Sequence, residues 1–271
     1  MRTQRGKAGP RRGTRPRDVV PQTEVDSGPP RGSRATEVVR QTEVDSRPPR
    51  GTRPTDLLRR TNVGQVPRSG PAILPRSFYS RPTLTVAEAL LGKVLVHRTP
   101  QGVAAGMIVE TEAYIGEDDP ACHAAPGPTR RNAPLYGTPG FAYVYLNYGI
   151  HYLVNAVTET EGHPAAVLIR ALEPVHGLQL MRTRRRIGDD VPDAELCRGP
   201  GNLTRAMGIT LADNLRDLVS SPLFIEDRGC QVDHISWGPR VGIRVGTERR
   251  WRCWVTGHPA VSGRVKLQTH G

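Results

Sequence analysis

From about residue 71 the chain alternates short apolar runs with turn signals, a texture that the residues before it lack. Lys93-Val-Leu-Val-His97 and the stretch from Val103 to Tyr114 are rich in β-formers, and the Thr-Pro-Gln-Gly between them predicts a hairpin. A second hairpin is predicted from Phe141 to Val157, with Asn147-Tyr148-Gly149 at its turn. Val167-Leu-Ile-Arg-Ala171 reads as a further strand. Helices are fewer. Thr85-Val-Ala-Glu88 has the pattern of a capping box and predicts a short helix that Gly92 ends. Pro174 suits the first turn of another, whose apolar positions Val175, Leu178 and Met181 recur at threes. Strands outnumber helices and do not alternate with them regularly. The expected fold class is therefore α+β: one mixed domain over residues 71–271, with a curved, largely antiparallel sheet and flanking helices.

Charge sharpens the boundary near residue 70. The whole chain of 271 residues carries a formal +12, and residues 1–70 hold 16 of the 38 basic side chains but only 7 of the 26 acidic ones. The same segment repeats itself: Arg12-Gly13, Arg31-Gly32 and Arg50-Gly51 are 19 residues apart, and Gln22-Thr-Glu-Val-Asp-Ser27 recurs from Gln41. It has no aromatic residue and few large aliphatics, so it cannot bury enough surface to offset the entropy of ordering. The expectation is a disordered basic tail. Two roles stand open for it: a cationic arm that binds a polyanion through counterion release, or a solvated extension with no partner.

No apolar run approaches the roughly 18 residues of a membrane span, and the first residues lack the apolar stretch of a secretory signal. Cysteines at 122, 197, 230 and 253 form no C-x-x-C pair. A cytoplasmic location with no membrane partner is expected.

Six of the seven tyrosines fall between residues 114 and 152. Strand periodicity puts Glu110, Glu112 and Tyr114 on one face, and likewise Tyr143 with Tyr145. Carboxylates beside aromatic platforms, with His123 and Arg170 in reach, are a set that holds a planar ring and activates a water. An aromatic ladder with solvated glutamates has the same spacing.

Several runs together are more specific. Ile108-Val-Glu-Thr-Glu-Ala-Tyr114, Asp118-Asp-Pro-Ala-Cys-His123, Thr129-Arg-Arg-Asn132, Tyr143-Val-Tyr-Leu-Asn-Tyr-Gly149 through Asn155, Leu168-Ile-Arg-Ala-Leu-Glu-Pro174 and Cys197-Arg-Gly-Pro200 succeed one another in this order. In order and gaps, nearly all of residues 75–265 resembles the 3-methyladenine (alkyladenine) DNA glycosylase family. The tail has no counterpart in the resemblance.

The resemblance implies a monomeric enzyme without metal or organic cofactor that flips a damaged purine from double-stranded DNA and hydrolyses its N-glycosidic bond. It implies Glu112 as the water-activating base, with Arg170 positioning that water and carboxylate. It implies a base pocket of Tyr114, His123, Tyr145 and Asn155, and Tyr148 as the intercalating wedge. Arg130, Arg131 and Arg198 are candidates for the DNA backbone. Arg182, Arg184, Arg185 and Arg186 are further candidates, although cations at a helix C-terminus also answer its dipole. Only three lysines occur, Lys7, Lys93 and Lys266, none in these motifs, so an imine-forming lyase step is not expected. The alternatives are a catalytically inactive nucleic-acid-binding protein of this fold, or an RNA-acting one.

Overall fold

The computed structural model describes residues 70–263, and the repeat tail expected at the N-terminus lies outside the described residues. Within the described residues nine strands form one antiparallel sheet: β1 (Ala72–Ile73), β2 (Val94–Thr99), β3 (Gly102–Ile115), β4 (Ala142–Asn147), β5 (His151–Val157), β6 (Ala165–His176), β7 (Leu223–Asp227), β8 (Ile235–Gly238) and β9 (Arg252–Val255). Among the described residues four short α-helices accompany it: α1 (Arg76–Tyr79), α2 (Thr83–Ala89), α3 (Leu178–Arg185) and α4 (Pro200–Met207). The α+β class and the open antiparallel sheet agree with the expectation from sequence.

Both predicted hairpins form. Thr99 pairs with Gly102 across Pro100 and Gln101, and β4 pairs with β5 across a tight tip in which Tyr148 (φ 48°) and Gly149 (φ 71°) are both left-handed. Gly149 makes that turn inexpensive, whereas a non-glycine residue at Tyr148 carries some strain.

Two helical expectations are corrected. The capping box Thr85-Glu88 does not form: α2 starts two residues earlier, after Pro82, with both residues exposed inside the helix. Tertiary contacts fix that start, because the Thr83 hydroxyl bonds the side chains of Thr158 and Glu159. Pro174 and Val175 belong to β6, and α3 begins only at Leu178, after left-handed Gly177. Pro174 is tolerated in the strand because it faces Gly106 at a register shift, where the ladder is already irregular.

The central strand β3 changes partner halfway along one edge. Its first half pairs with β2 as far as Met107, and β9 takes over at Glu110–Glu112, while β6 runs along the other edge throughout. Two bulges mark the change. Ile108 faces Leu172 and Glu110 faces Ala171, which leaves Val109 extra; Glu110 faces Ala171 and Thr111 faces Ile169, which leaves Arg170 extra. A bulge bends the strand and re-aims its side chains. Here the effect is to gather Glu110, Glu112 and Arg170 on one side of the sheet.

The opposite side buries the main core, where Leu90, Ile169, Leu172, Met181, Leu203 and Met207 are wholly enclosed with α2, α3 and α4. Each such side chain contributes about 1.5–3 kcal/mol relative to exposure. The Thr111 hydroxyl faces this side and donates to the Ala87 carbonyl, which ties α2 to the central strand. A smaller cluster of Cys122, Ala124, Leu135, Tyr143, Val157 and Ala166 sits on the side that carries the glutamates. Among the described residues no helix is long and apolar enough to cross a membrane.

Candidate active site

Glu112 is fully buried, and both oxygens of its carboxylate have partners. Oε1 accepts from the Val241 amide at 2.7 Å; Oε2 accepts from the Tyr114 hydroxyl at 2.9 Å and from Arg170 Nη1 at 3.2 Å. Glu110 is equally enclosed. The aromatic ladder with solvated glutamates is therefore excluded. Burial pushes the Glu112 carboxyl above its ordinary pKa, while the Arg170 guanidinium, the Val241 amide and the Tyr114 hydroxyl pull it back. Tyr114 is raised well above the usual tyrosine range by burial and by the charge of Glu112, so it stays a protonated donor to that carboxylate.

In front of this cluster opens a cavity of about 440 Å³. Tyr114, Arg170 and Val241 line it, and Glu112 lies just behind these three, its own direct partners. The facing wall is aromatic: His123 and Tyr145 meet edge-on with centroids 4.4 Å apart, and Tyr143 lies 5.2 Å from Tyr145. Cavities of this size hold one small ligand.

Each wall has a local cause. The Tyr114 ring lies under the Arg240 guanidinium at 4.7 Å, and Arg240 is pinned by a wholly buried pair with Asp119, Nη2 to Oδ1 at 2.7 Å. His123 sits on a loop that Asn132 ties down, its amide donating to the carbonyls of His123 at 2.7 Å and Gly127 at 2.9 Å. His123 Nδ1 bonds the Tyr143 hydroxyl at 2.8 Å. Burial, with the charge of Arg131, pushes the His123 imidazole below its ordinary value, so the ring is neutral at neutral pH. Asn155 is buried, lines the cavity and donates to the Tyr143 carbonyl at 3.0 Å. At the mouth stands Tyr148, 84% exposed on the hairpin tip beside Ile150 at 73%.

The structure thus brings Tyr114, His123, Tyr145, Asn155, Arg170 and Tyr148 to one cavity with Glu112 behind them. The candidate backbone arginines are more dispersed. Arg131 is exposed and reaches over the Tyr145 ring at 5.8 Å; Arg130 is exposed next to it, outside the cavity lining. Arg198 also lies outside the lining, paired with Glu195 at 2.5 Å and bonded to the Val261 carbonyl. The C-terminal arginines of α3 are mostly internal braces. Arg182 pairs with Asp193 at 2.6 Å, Arg184 donates to the Met207 carbonyl and the Thr99 hydroxyl, and Arg185 donates to the carbonyls of Glu195 and Leu196.

Sequence reasoning gave no role to Val241, Asn132, Arg240 or Asp119. A backbone amide leaves no signature in its side chain, so Val241 had no signal; Asn132 and Asp119 stood inside the recognisable motifs and carried one.

The model of the Methylpurine-DNA glycosylase family matches residues 77–259. The chain belongs to this family. It is 48% identical over 193 residues to a protein of Chlorobium phaeobacteroides (70% of this chain, 96% of the relative) and 50% identical over 201 residues to one of Methanocella arvoryzae (71% and 97%). A Burkholderia lata protein is 45% identical over 202 residues (73% and 95%). All three carry the name "Putative 3-methyladenine DNA glycosylase". The matched residues contain every residue that lines the cavity, together with Glu112 and its three partners.

Proposed function

We propose that this member of the Methylpurine-DNA glycosylase family swings a damaged purine nucleotide out of duplex DNA into the aromatic cavity and hydrolyses its N-glycosidic bond. The observation that carries this reading is a buried carboxylate held by three donors behind a cavity walled by Tyr114, His123 and Tyr145.

Glu112 takes a proton from water as the oxygen bonds C1′ of the deoxyribose, and the electrons of the C1′–N bond leave with the base. Its negative charge also favours the positive charge that develops on the sugar. Arg170 holds the carboxylate and faces the cavity, so one guanidinium orients Glu112 and the water it activates. Alkylation makes the purine cationic, which weakens its bond to the sugar and strengthens stacking on π faces. A neutral His123 in that wall does not repel such a base. Asn155, from the cavity side, excludes normal bases, notably guanine by its exocyclic amine. Extrusion leaves a gap in the stack, and Tyr148 fills it from the minor groove, offsetting an unstacking cost of about a few kcal/mol. Arg130, Arg131 and Arg198 are the candidates for phosphate contacts; Arg198 would have to share itself with Glu195.

The enzyme acts as a cytoplasmic monomer and leaves an intact abasic site. Lys93, the one lysine among the described residues, is paired with Asp227 at 2.6 Å and lines no part of this cavity. The test is product analysis on duplexes bearing 3-methyladenine or hypoxanthine: free base is released and the strand stays whole. Covalent trapping by borohydride would refute the monofunctional assignment, and tighter binding to structured RNA than to lesion duplex at the same salt would refute the substrate.

A further inference from the structure

Arg170 spends only one of its three nitrogens on Glu112. Nε donates to Glu110 Oε1 at 2.8 Å and Nη2 to Ser262 Oγ at 3.1 Å. Glu110 is wholly buried and does not line the cavity. It accepts from Arg252 Nε at 2.7 Å, from the Ser262 amide at 2.6 Å and from the Ser262 hydroxyl at 3.0 Å. Arg252 in turn donates to the Ser262 carbonyl at 2.6 Å. Ser262 therefore touches Arg170, Glu110 and Arg252 at once, from a segment just past the family-matched residues 77–259.

An arginine placed at a bulge has no ladder neighbour to fix its direction. Burying Glu110 between two guanidiniums serves no contact with a ligand, and a buried ionic cluster is weak evidence for stability in itself. We infer that Glu110 and Ser262 are positioning residues that lock Arg170 against Glu112, so that the C-terminal segment completes the catalytic cluster. The inference rests on the reading of Glu112 as the base.

The Glu112 carboxylate is faced by Glu110 and Tyr114 from its own strand, by Arg170 from β6, by Arg252 from β9, by Arg240 from the preceding loop and by Tyr145 from β4. Of these, Arg170 is the chief charge favouring ionisation of Glu112. Loosening Arg170 therefore makes Glu112 harder to ionise, and the acid limb of the excision profile moves to higher pH.

Two variants test this in the full chain. Ser262→Ala removes the shared hydroxyl and leaves the backbone bonds; Glu110→Gln places an amide nitrogen against the Ser262 N–H. Ser262→Ala removes two bonds, from Arg170 Nη2 and to Glu110 Oε1; the one that holds Arg170 sets the effect, and single-turnover excision falls about tenfold at the pH plateau. Affinity for lesion duplex stays unchanged, and the acid limb moves up in pH. Glu110→Gln loses more rate; if it fails to fold, Ser262→Ala still decides. In parallel, the Glu112 carboxyl is titrated by carbon-13 NMR, assigned with Glu112→Gln, in wild type and Ser262→Ala without DNA. An upward shift of the midpoint supports the inference. An unmoved midpoint and acid limb, with excision within about twofold of wild type, overturns it. If wild type releases no base, the excision reading fails by itself, and the titration still decides whether Ser262 holds the cluster.

Discussion

Replacing Glu112 with glutamine is the sharpest single perturbation, because the side chain keeps its volume in a fully enclosed site while losing charge and basicity. The three donors around the carboxylate determine the outcome. If the amide oxygen of Glu112→Gln takes the Val241 N–H, its NH2 group faces Tyr114 and Arg170 Nη1. The tyrosine hydroxyl can rotate to accept, but arginine has no acceptor, so one charge-assisted bond is lost. Against that, the wild-type carboxyl has a folded-state pKa above its unfolded value, so its ionisation costs stability as pH rises through the folded pKa. Glutamine removes that cost. The two changes oppose, and the variant is expected to fold with DNA binding retained. The rate does not benefit from this cancellation. Loss of a general base costs about 10²–10⁴-fold, or about 2.7–5.4 kcal/mol in activation free energy. The assay is single-turnover release of hypoxanthine from a lesion duplex at saturating enzyme, with the pH varied. Wild type loses activity toward acid along a limb lying above the ordinary carboxylate value, and the residual rate of the variant lacks that limb. A folded, DNA-binding Glu112→Gln with excision within about threefold of wild type would refute the assignment of the base.

Tyr148→Ala removes a side chain that is 84% exposed, so stability changes by less than about 0.5 kcal/mol, while excision falls about 10- to 100-fold because the vacated stack is no longer filled; 2-aminopurine fluorescence beside the lesion reads the flipping step, and an unchanged signal rejects the wedge. Arg240→Ala leaves Asp119 charged and wholly buried, which costs about 3–5 kcal/mol in urea unfolding. It also frees the Tyr114 ring from its cover, so the surviving protein binds lesion duplex less well. Deletion of residues 1–70, which carry 16 basic side chains, weakens nonspecific DNA binding and flattens its salt dependence, leaving excision per bound complex nearly intact. Equal salt slopes with and without these residues would mean that they never touch DNA.

Much of this site was legible in the order of residues along the chain, and the reasons are local. A period of two is enough to put Glu110, Glu112 and Tyr114 on one face and to stack Tyr143 beside Tyr145. Thr-Pro-Gln-Gly and Asn-Tyr-Gly carry their turns in adjacent residues, and both hairpins formed where expected. Local signals failed where a distant partner outweighed them. The capping box at Thr85 lost to a start set by Thr83 on Thr158 and Glu159, and Pro174 stayed in a strand because Gly106 faced it. Nothing near Glu112 announces that Val241, 129 positions away, will supply an amide, nor that Ser262 will reach Glu110 across 152 positions. Strand alternation can place an acidic side chain on a face; whether that face is wet or sealed depends on which segments cover it. The partner change of β3, from β2 to β9, and the bulge at Arg170 made that decision here, by enclosing the carboxylates away from bulk solvent and turning a guanidinium onto them.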